Sequence, residues 1–278
     1  MSEVFLTAIE ELATPYPSIT LPEWNWFNSM VGGFRTREFT ILCGSTGSGK
    51  TTMLANVSAQ LLKQGVKHFV MSVETGHTDY MKRIMSVLAA DDINTGDPIS
   101  VEYIAKIVAE HNKLLTSGNI EFSLYDNRVP VEQLIHDLTY MQAKGCKIAF
   151  VDNLNFFMEV TSAQNQIIEM DRVVHELVLF CKRVDMHVVL VMHPKKTEGA
   201  STRVVSEFDI KGSSTSVQEA TNVFLFNRPR EEDLKSGARN KFDRELTLQK
   251  LRRRGKYVHN TIIFSSTGTQ YSEVGFRE

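Results

Sequence analysis

The chain has 278 residues, of which 42% are hydrophobic and 23% charged, with a formal net charge of −2. That balance suits one large domain with a sizeable core and excludes a disordered, collagenous or coiled-coil polypeptide. No apolar run approaches the ~20 residues that cross a bilayer, and the start Met1-Ser2-Glu3-Val4 carries no basic and apolar leader, so a cytoplasmic setting with no membrane partner is expected (the host cytoplasm, for a phage-encoded chain).

Along the chain, Pro15, Pro17 and Pro22 punctuate the first forty residues, followed by the aromatic cluster Trp24, Trp26 and Phe27; this reads as a linker and a short packing segment. From Phe39 an apolar run, a turn and a helical stretch recur. Strands are predicted at Phe39 to Cys43, Lys67 to Val73, Ile120 to Leu124, Lys147 to Asp152 and His187 to His193. Helices are predicted at Thr51 to Gln64, Asp79 to Ala89, Val131 to Lys144 and Ile167 to Val184. In the last, Ile167, Met170, Val174, Leu177, Val178 and Val184 form an apolar stripe, expected to be core. Beyond residue 222, Asn222 to Asn227, Glu245 to Leu251 and Asn260 to Phe264 read as strands without helices between them, extending the sheet or forming a hairpin. The fold expected is α/β: a largely parallel central sheet flanked by helices, with late antiparallel strands and ligands gathered at the carboxyl ends of the parallel strands.

Cys43, Cys146 and Cys181 are widely spaced in apolar segments and read as reduced core thiols. Charge is uneven. Residues 195–256 hold 15 Lys and Arg against 9 Asp and Glu, a surplus of six, while the rest of the chain has a deficit of eight. Either a local polyanion-binding face or a solvated charged surface accounts for this.

Gly44-Ser45-Thr46-Gly47-Ser48-Gly49-Lys50-Thr51 follows a predicted strand and opens a helix, with Thr52 next. In this order the backbone N–H groups curl around phosphate oxygens, Lys50 reaches the β- and γ-phosphates and the Thr51 hydroxyl binds Mg²⁺. A phosphate cradle also needs a metal-holding carboxylate and a base at neighbouring strand ends. Lys147 to Asp152 ends in Asp152, expected to hold Mg²⁺ with Thr51, and Val70 to Glu74 ends in Glu74, placed to take a proton from an attacking water or to cap a helix. His193 closes the next such strand, where a neutral imidazole can meet a γ-phosphate or serve as a structural side chain, the commoner role of a lone His. The following loop, 194–212, carries Lys195, Lys196, Arg203 and Lys211 with few apolar residues and is a candidate polyanion-binding loop. Lys250-Leu251-Arg252-Arg253-Arg254 places cations at the end of a late strand, to bind nucleic acid, to sit solvated, or to reach a neighbouring subunit's nucleotide.

Together these motifs resemble the RecA-like P-loop ATPase domain of hexameric replicative DNA helicases of the DnaB-like superfamily, nearest to Twinkle and the phage primase-helicases. The likeness spans roughly residues 30–265 and rests on the order of the cradle, Ser72-Val73-Glu74, Val151-Asp152-Asn153-Leu154, Val191-Met192-His193-Pro194, Gly212-Ser213, Gln218-Glu219-Ala220 and Lys250-x-Arg252. The resemblance implies Glu74 as catalytic base, Asp152 as the Walker-B carboxylate, His193 as phosphate sensor, and Lys250 and Arg252 as groups reaching a neighbour's nucleotide. It implies residues 194–213, with Gly212 and Ser213, as the central DNA loop and Asn155 to Asn165 as a second pore-facing loop. It further implies ATP or another NTP with Mg²⁺, single-stranded DNA, a ring-shaped homo-oligomer, hexameric by analogy, 5′-to-3′ translocation, and a primase, polymerase or loader as partner. The alternative is a RecA-type or loader-like DNA-binding ATPase that does not unwind. Two positions depart from the pattern: Thr221 stands where relatives carry Asp, and Arg253 where they carry Phe. No primase or N-terminal helical domain is expected before the motor. The expected division is residues 1–36 as linker and subunit-packing segment, 37–266 as ATPase domain and 267–278 as C-terminal tail.

Overall fold

The computed structural model describes residues 5–6, 9, 12–13, 16–93, 97–125, 129–153, 163–194, 205–206, 209–210 and 214–277. Its centre is β3 (Phe39–Cys43), buried along its whole length. Phe39, Ile41 and Cys43 face one apolar cluster and Leu42 the other, as the two-residue period of a strand dictates. Burial on both faces explains why this strand reads as a continuous apolar run.

Around β3 lie β4 (His68–Ser72), β5 (Ile120–Phe122), β6 (Ile148–Asp152), β7 (His187–Met192) and β8 (Asn222–Asn227), followed by β9 (Arg244–Leu251), β10 (Thr261–Ser266) and β11 (Tyr271–Arg277). The nine-stranded sheet has the order β11-β10-β9-β8-β3-β7-β6-β4-β5. β8, β3, β7, β6, β4 and β5 pair in parallel, whereas β9, β10 and β11 are antiparallel additions. A separate two-stranded ribbon joins β1 (Ser18–Ile19) to β2 (Phe34–Arg35).

Helices cover both faces. On one, α1 (Asn25–Val31), α2 (Lys50–Lys63) and α3 (His77–Ala89) bury Phe27, Leu54, Leu61, Tyr80 and Ile84 against Val70, Phe150 and Val191 of the sheet. On the other, α5 (Val131–Ala143) and α6 (Ala163–Arg183) bury Leu134, Leu138, Val174 and Leu177. The sheet therefore has the doubly covered architecture expected from the alternating pattern.

Three local expectations change. Ile167, read as part of the α6 core stripe, is exposed, while Met170, Val174, Leu177 and Val178 are buried; the stripe enters the core one turn later. α4 (Val101–Leu115), absent from the sequence reading, begins at Ser100, whose hydroxyl accepts the Tyr103 N–H, and buries only Ile107. Val101, Ile104, Ile107 and Val108 recur at helical spacing, so the apolar pattern that marks this helix is present in the sequence. Within the stretch 267–278, expected as a tail, β11 pairs with β10 and Tyr271 is 3% exposed. Tyr271 anchors the N-terminal region too: Trp24 Nε1 donates to its carbonyl, and Glu273 accepts the N–H groups of Trp26 and Phe27. All three cysteines are free and buried, as expected, and burial pushes Cys43 up to about 12 and Cys146 up to about 11. Among the described residues no helix is long and apolar enough to cross a membrane.

Candidate active site

The turn from β3 into α2 forms the cradle. At Gly44 a Cβ would stand 2.4 Å from the Phe226 carbonyl, and at Gly49, whose φ is +92°, one would stand 2.5 Å from the Tyr271 hydroxyl. A side chain at either position would displace the loop, so close backbone approach explains these glycines. Ser48 is fully buried. Lys50 opens α2, and its Nζ donates to the carbonyls of Gly44 at 2.7 Å and Ser45 at 3.0 Å. Burial pulls its ammonium below the ordinary lysine range, opposed by the Asp152 charge. Thr51 Oγ1 donates to Asp152 Oδ2 at 2.7 Å. Burial raises the Asp152 carboxyl above the usual carboxylate range, opposed by that hydrogen bond and by Lys50. A hydroxyl and a carboxylate in contact at a buried position are hard oxygen donors, the set that suits Mg²⁺ shared with substrate phosphates.

The parallel register brings the next strand ends alongside. Ser72 of β4 pairs with Asp152 of β6, which places Glu74 and Asn153 in neighbouring turns. Asn153 Nδ2 donates to Glu74 Oε2 and lies 3.2 Å from His193 Nε2. His193 Nε2 is 3.6 Å from Glu74 Oε2, and its Nδ1 is 3.4 Å from Lys50 Nζ. Glu74 keeps a half-exposed side chain. The cleft, of about 400 Å³, is thus lined by Thr46, Lys50, Thr51, Glu74, Asp152 and His193. Every nucleotide-side residue singled out from sequence lies in or directly beside it.

The same cleft contains residues that the sequence did not reveal. Asn153 bridges Glu74 and His193. Arg83 of α3 reaches Thr52 Oγ1 at 3.4 Å and lines the wall, as do Phe242, Arg244 and Tyr271. Arg244 Nε donates to the Ser48 carbonyl at 2.5 Å, and Arg228 donates twice to the Gly47 carbonyl, at 3.2 and 2.7 Å. Desolvation lowers the Arg244 pKa. Phe242, 42% exposed, offers an aromatic face at the mouth with Lys241 above its ring. Arg228 follows β8, Phe242 precedes β9, Arg244 opens β9 and Tyr271 opens β11, all far from the cradle in sequence, so no motif spacing records these four.

Lys250 and Arg252 lie elsewhere. β9 runs antiparallel to β8, and Lys250 pairs with Val223 near the start of β8, so both cations sit at the amino edge of the parallel strands. Lys250 Nζ donates to the carbonyls of Val217 and Gln218, at 2.9 and 2.6 Å, closing the end of α7 (Ser214–Glu219). Arg252 Nη2 adds a contact at 3.3 Å to Gln218. Arg253 Nε donates to Glu38 Oε1 at 2.6 Å, a carboxylate that Asn222 also meets. Arg254 Nη1 donates to the Ser29 carbonyl in α1. Thr221 accepts the Phe39 N–H on its hydroxyl. Among the described residues the cations of 195–256 therefore do not form a single face: Arg228 and Arg244 serve the cradle, and residues 250–254 tie elements together at the opposite edge. Lys195, Lys196, Arg203, Lys211, Gly212 and Ser213 lie outside the described residues, as do residues 155–162 of the expected second loop.

The family model for the DnaB-like helicase C-terminal domain matches residues 22–273. In fold, the chain is similar to a solved structure described as an ATPase domain, with 15% identity and a TM-score of 0.78 over 98% of each chain. It is also similar to a DnaB-like replicative helicase described with its interactions with primase, with 15% identity and a TM-score of 0.77 over 98% of this chain and 68% of that one.

Proposed function

Because the chain belongs to the DnaB-like helicase C-terminal domain family, we propose that it is an ATP-driven motor that translocates 5′ to 3′ on single-stranded DNA as a homo-oligomeric ring. The observation that carries this reading is the convergence of Lys50, the Thr51–Asp152 pair and Glu74 on one cleft beneath a glycine-shaped cradle. A binding module needs a cradle, whereas a base at the adjacent strand end serves turnover.

In this reading the cradle amides and Lys50 hold the phosphates of ATP or another NTP, and Thr51 and Asp152 hold Mg²⁺. When bound, Mg²⁺ would supply positive charge that offsets the charge developing on the phosphates during transfer. Glu74 accepts the proton of the attacking water, and Asn153 fixes its carboxylate. His193, between Lys50 and Asn153, senses the γ-phosphate. Phe242 supports the base, and Arg252 works across an interface on the neighbour's nucleotide. Of residues 1–36, those before Leu21 join subunits, because Leu21, Trp24, Phe27 and Phe34 are buried in this chain's own core. Lys195, Lys196, Arg203, Lys211, Gly212 and Ser213 contact the DNA backbone, and a primase, polymerase or loader is the accessory partner.

Strand displacement on forked DNA, measured beside ATP turnover with and without single-stranded DNA, tests this. DNA-stimulated turnover with unwinding is expected. Stimulated turnover without unwinding assigns the loader-like alternative instead, and absence of turnover removes the motor. Replacing Lys195, Lys196 and Lys211 with Ala should weaken DNA binding for all sequences and flatten its salt dependence, because fewer counterions are released.

A further inference from the structure

Between Arg203 and Lys211 the chain has a described anchor. Val205 is 5% exposed and Ile210 3% exposed, both within the core cluster beneath α6. Ile210 makes an isolated antiparallel bridge with Pro194, at the entrance of the same segment. The Asp209 carboxylate accepts from the Ser206 N–H at 2.8 Å and from its hydroxyl at 2.6 Å, which ties these two residues together.

One side chain holds this anchor to the sheet. Asn227 Oδ1 accepts the Val205 N–H at 2.9 Å, and Asn227 Nδ2 donates to the Val205 carbonyl at 3.2 Å. The amide thus imitates a strand partner, a double role that requires a donor and an acceptor on one planar group. Asn227 is 3% exposed, and a buried amide is costly unless bonded in this way.

Asn227 ends β8, and its chain neighbours on both sides touch the cradle. The Phe226 carbonyl packs against Gly44, and Arg228 donates twice to the Gly47 carbonyl. Three successive residues therefore connect the cradle to a point two residues after Arg203. Asn227 itself does not line the nucleotide cleft.

We propose that Asn227 is a positioning residue that couples the DNA-facing segment to the phosphate cradle. A strand bound at Arg203 pulls on Val205, the amide passes that pull to the end of β8, and Arg228 passes it to Gly47. The inference rests on the reading of residues 194–213 as the DNA loop.

The test compares Asn227→Leu, which removes both hydrogen bonds, with Asn227→Asp, which still accepts the Val205 N–H but cannot donate to its carbonyl. ATP turnover of the full chain is measured with and without oligothymidine, with kcat and KM separated and folding checked by thermal melting. If the Leu variant does not fold, Asn227→Ser, which can bond only one of the two groups, takes its place. Basal kcat and KM should stay within about twofold of the unmodified chain, while stimulation by DNA falls about fivefold or more in Leu and less in Asp. Undiminished stimulation in both variants would overturn the coupling. Equal loss of basal and stimulated turnover would overturn it as well, because Asn227 would then only support the cradle. If the unmodified chain is not stimulated by DNA, the DNA-loop reading itself fails and takes the coupling with it, an outcome visible before any variant is made.

Discussion

The two edges of the parallel sheet use polar side chains in opposite ways. At the carboxyl edge, Lys50, Asp152, Asn153, Glu74 and His193 from separate strand ends surround a space. At the amino edge, Lys250, Arg252, Arg253 and Arg254 fill the gaps between elements, each bonded to a backbone carbonyl or a buried carboxylate. β7 shows the contrast within one strand. His187 opens it fully buried, held by Thr40 and the Arg35 carbonyl, and burial drives its pKa down to about 4. His193 follows the other end and faces Lys50 and Glu74. Within β7, residue type alone does not separate the imidazole that packs in the core from the one that faces the cleft; the edge on which it emerges does.

The sharpest way to break this contrast is at the cradle. Lys50→Ala should lower turnover by ~10³-fold or more, through loss of charge stabilisation at the departing phosphate. Glu74→Gln should lower it comparably while nucleotide affinity, read by titration with a fluorescent analogue, stays near that of the unmodified chain. Persistent turnover in either variant would remove that residue from the chemistry.

The amino edge is predicted to act only across an interface. Arg252→Ala should cost ~10³-fold in turnover, yet a mixture with Lys50→Ala subunits should regain activity. In a head-to-tail ring assembled at random from equal amounts, about a quarter of cradles would then meet an intact Arg252. Co-assembled mixtures no better than the separate variants would place Arg252 among the purely structural cations beside it.

The buried histidines give a smaller, pH-dependent effect. His68 and His187 both have pKa values lowered by burial to about 4 from an ordinary 6.5. The unfolded chain therefore takes up protons that the folded chain refuses as pH falls from 6.5 towards 4. Their contribution is complete above 6.5 and lost through that window, at up to ~1.4 kcal/mol per pH unit for each group. Urea unfolding at a series of pH values checks this, and His187→Asn should flatten the slope. Least affected should be Phe242→Ala: about a two- to tenfold rise in KM with little change in kcat, since stacking on a base is felt equally in ground and transition states. A fall in kcat at constant KM would instead place Phe242 near the phosphates.

Legibility follows the same division. The cradle, Asp152, Glu74 and His193 were readable because each follows an apolar strand within its own segment, so local sequence sets both the element and the position of the polar group. Asn153 sits in a quoted motif, but its role depends on the register that brings β4 beside β6. Arg228 reaches the cradle because β8 pairs with β3, and Arg244 and Tyr271 because β9, β10 and β11 extend the sheet on that side. The engagements of residues 250–254 were illegible for another reason. Their partners are mostly main-chain carbonyls, which every residue carries and no composition marks.

The closure of the cleft by Tyr271 has a consequence for the order of synthesis. Asn56 in α2 bonds both the Thr269 carbonyl and the Tyr271 N–H, and Trp24 holds the Tyr271 carbonyl. The wall beside Gly49 is thus made more than two hundred positions after the cradle it completes. β3 likewise waits for β7 and β8 before either of its edges is paired. Contacts this distant along the chain form late, so a growing polypeptide displays its phosphate loop long before it can enclose a nucleotide. Nucleotide enclosure should therefore report a finished sheet, because the cleft gains its Tyr271 wall only when the last strand is in place.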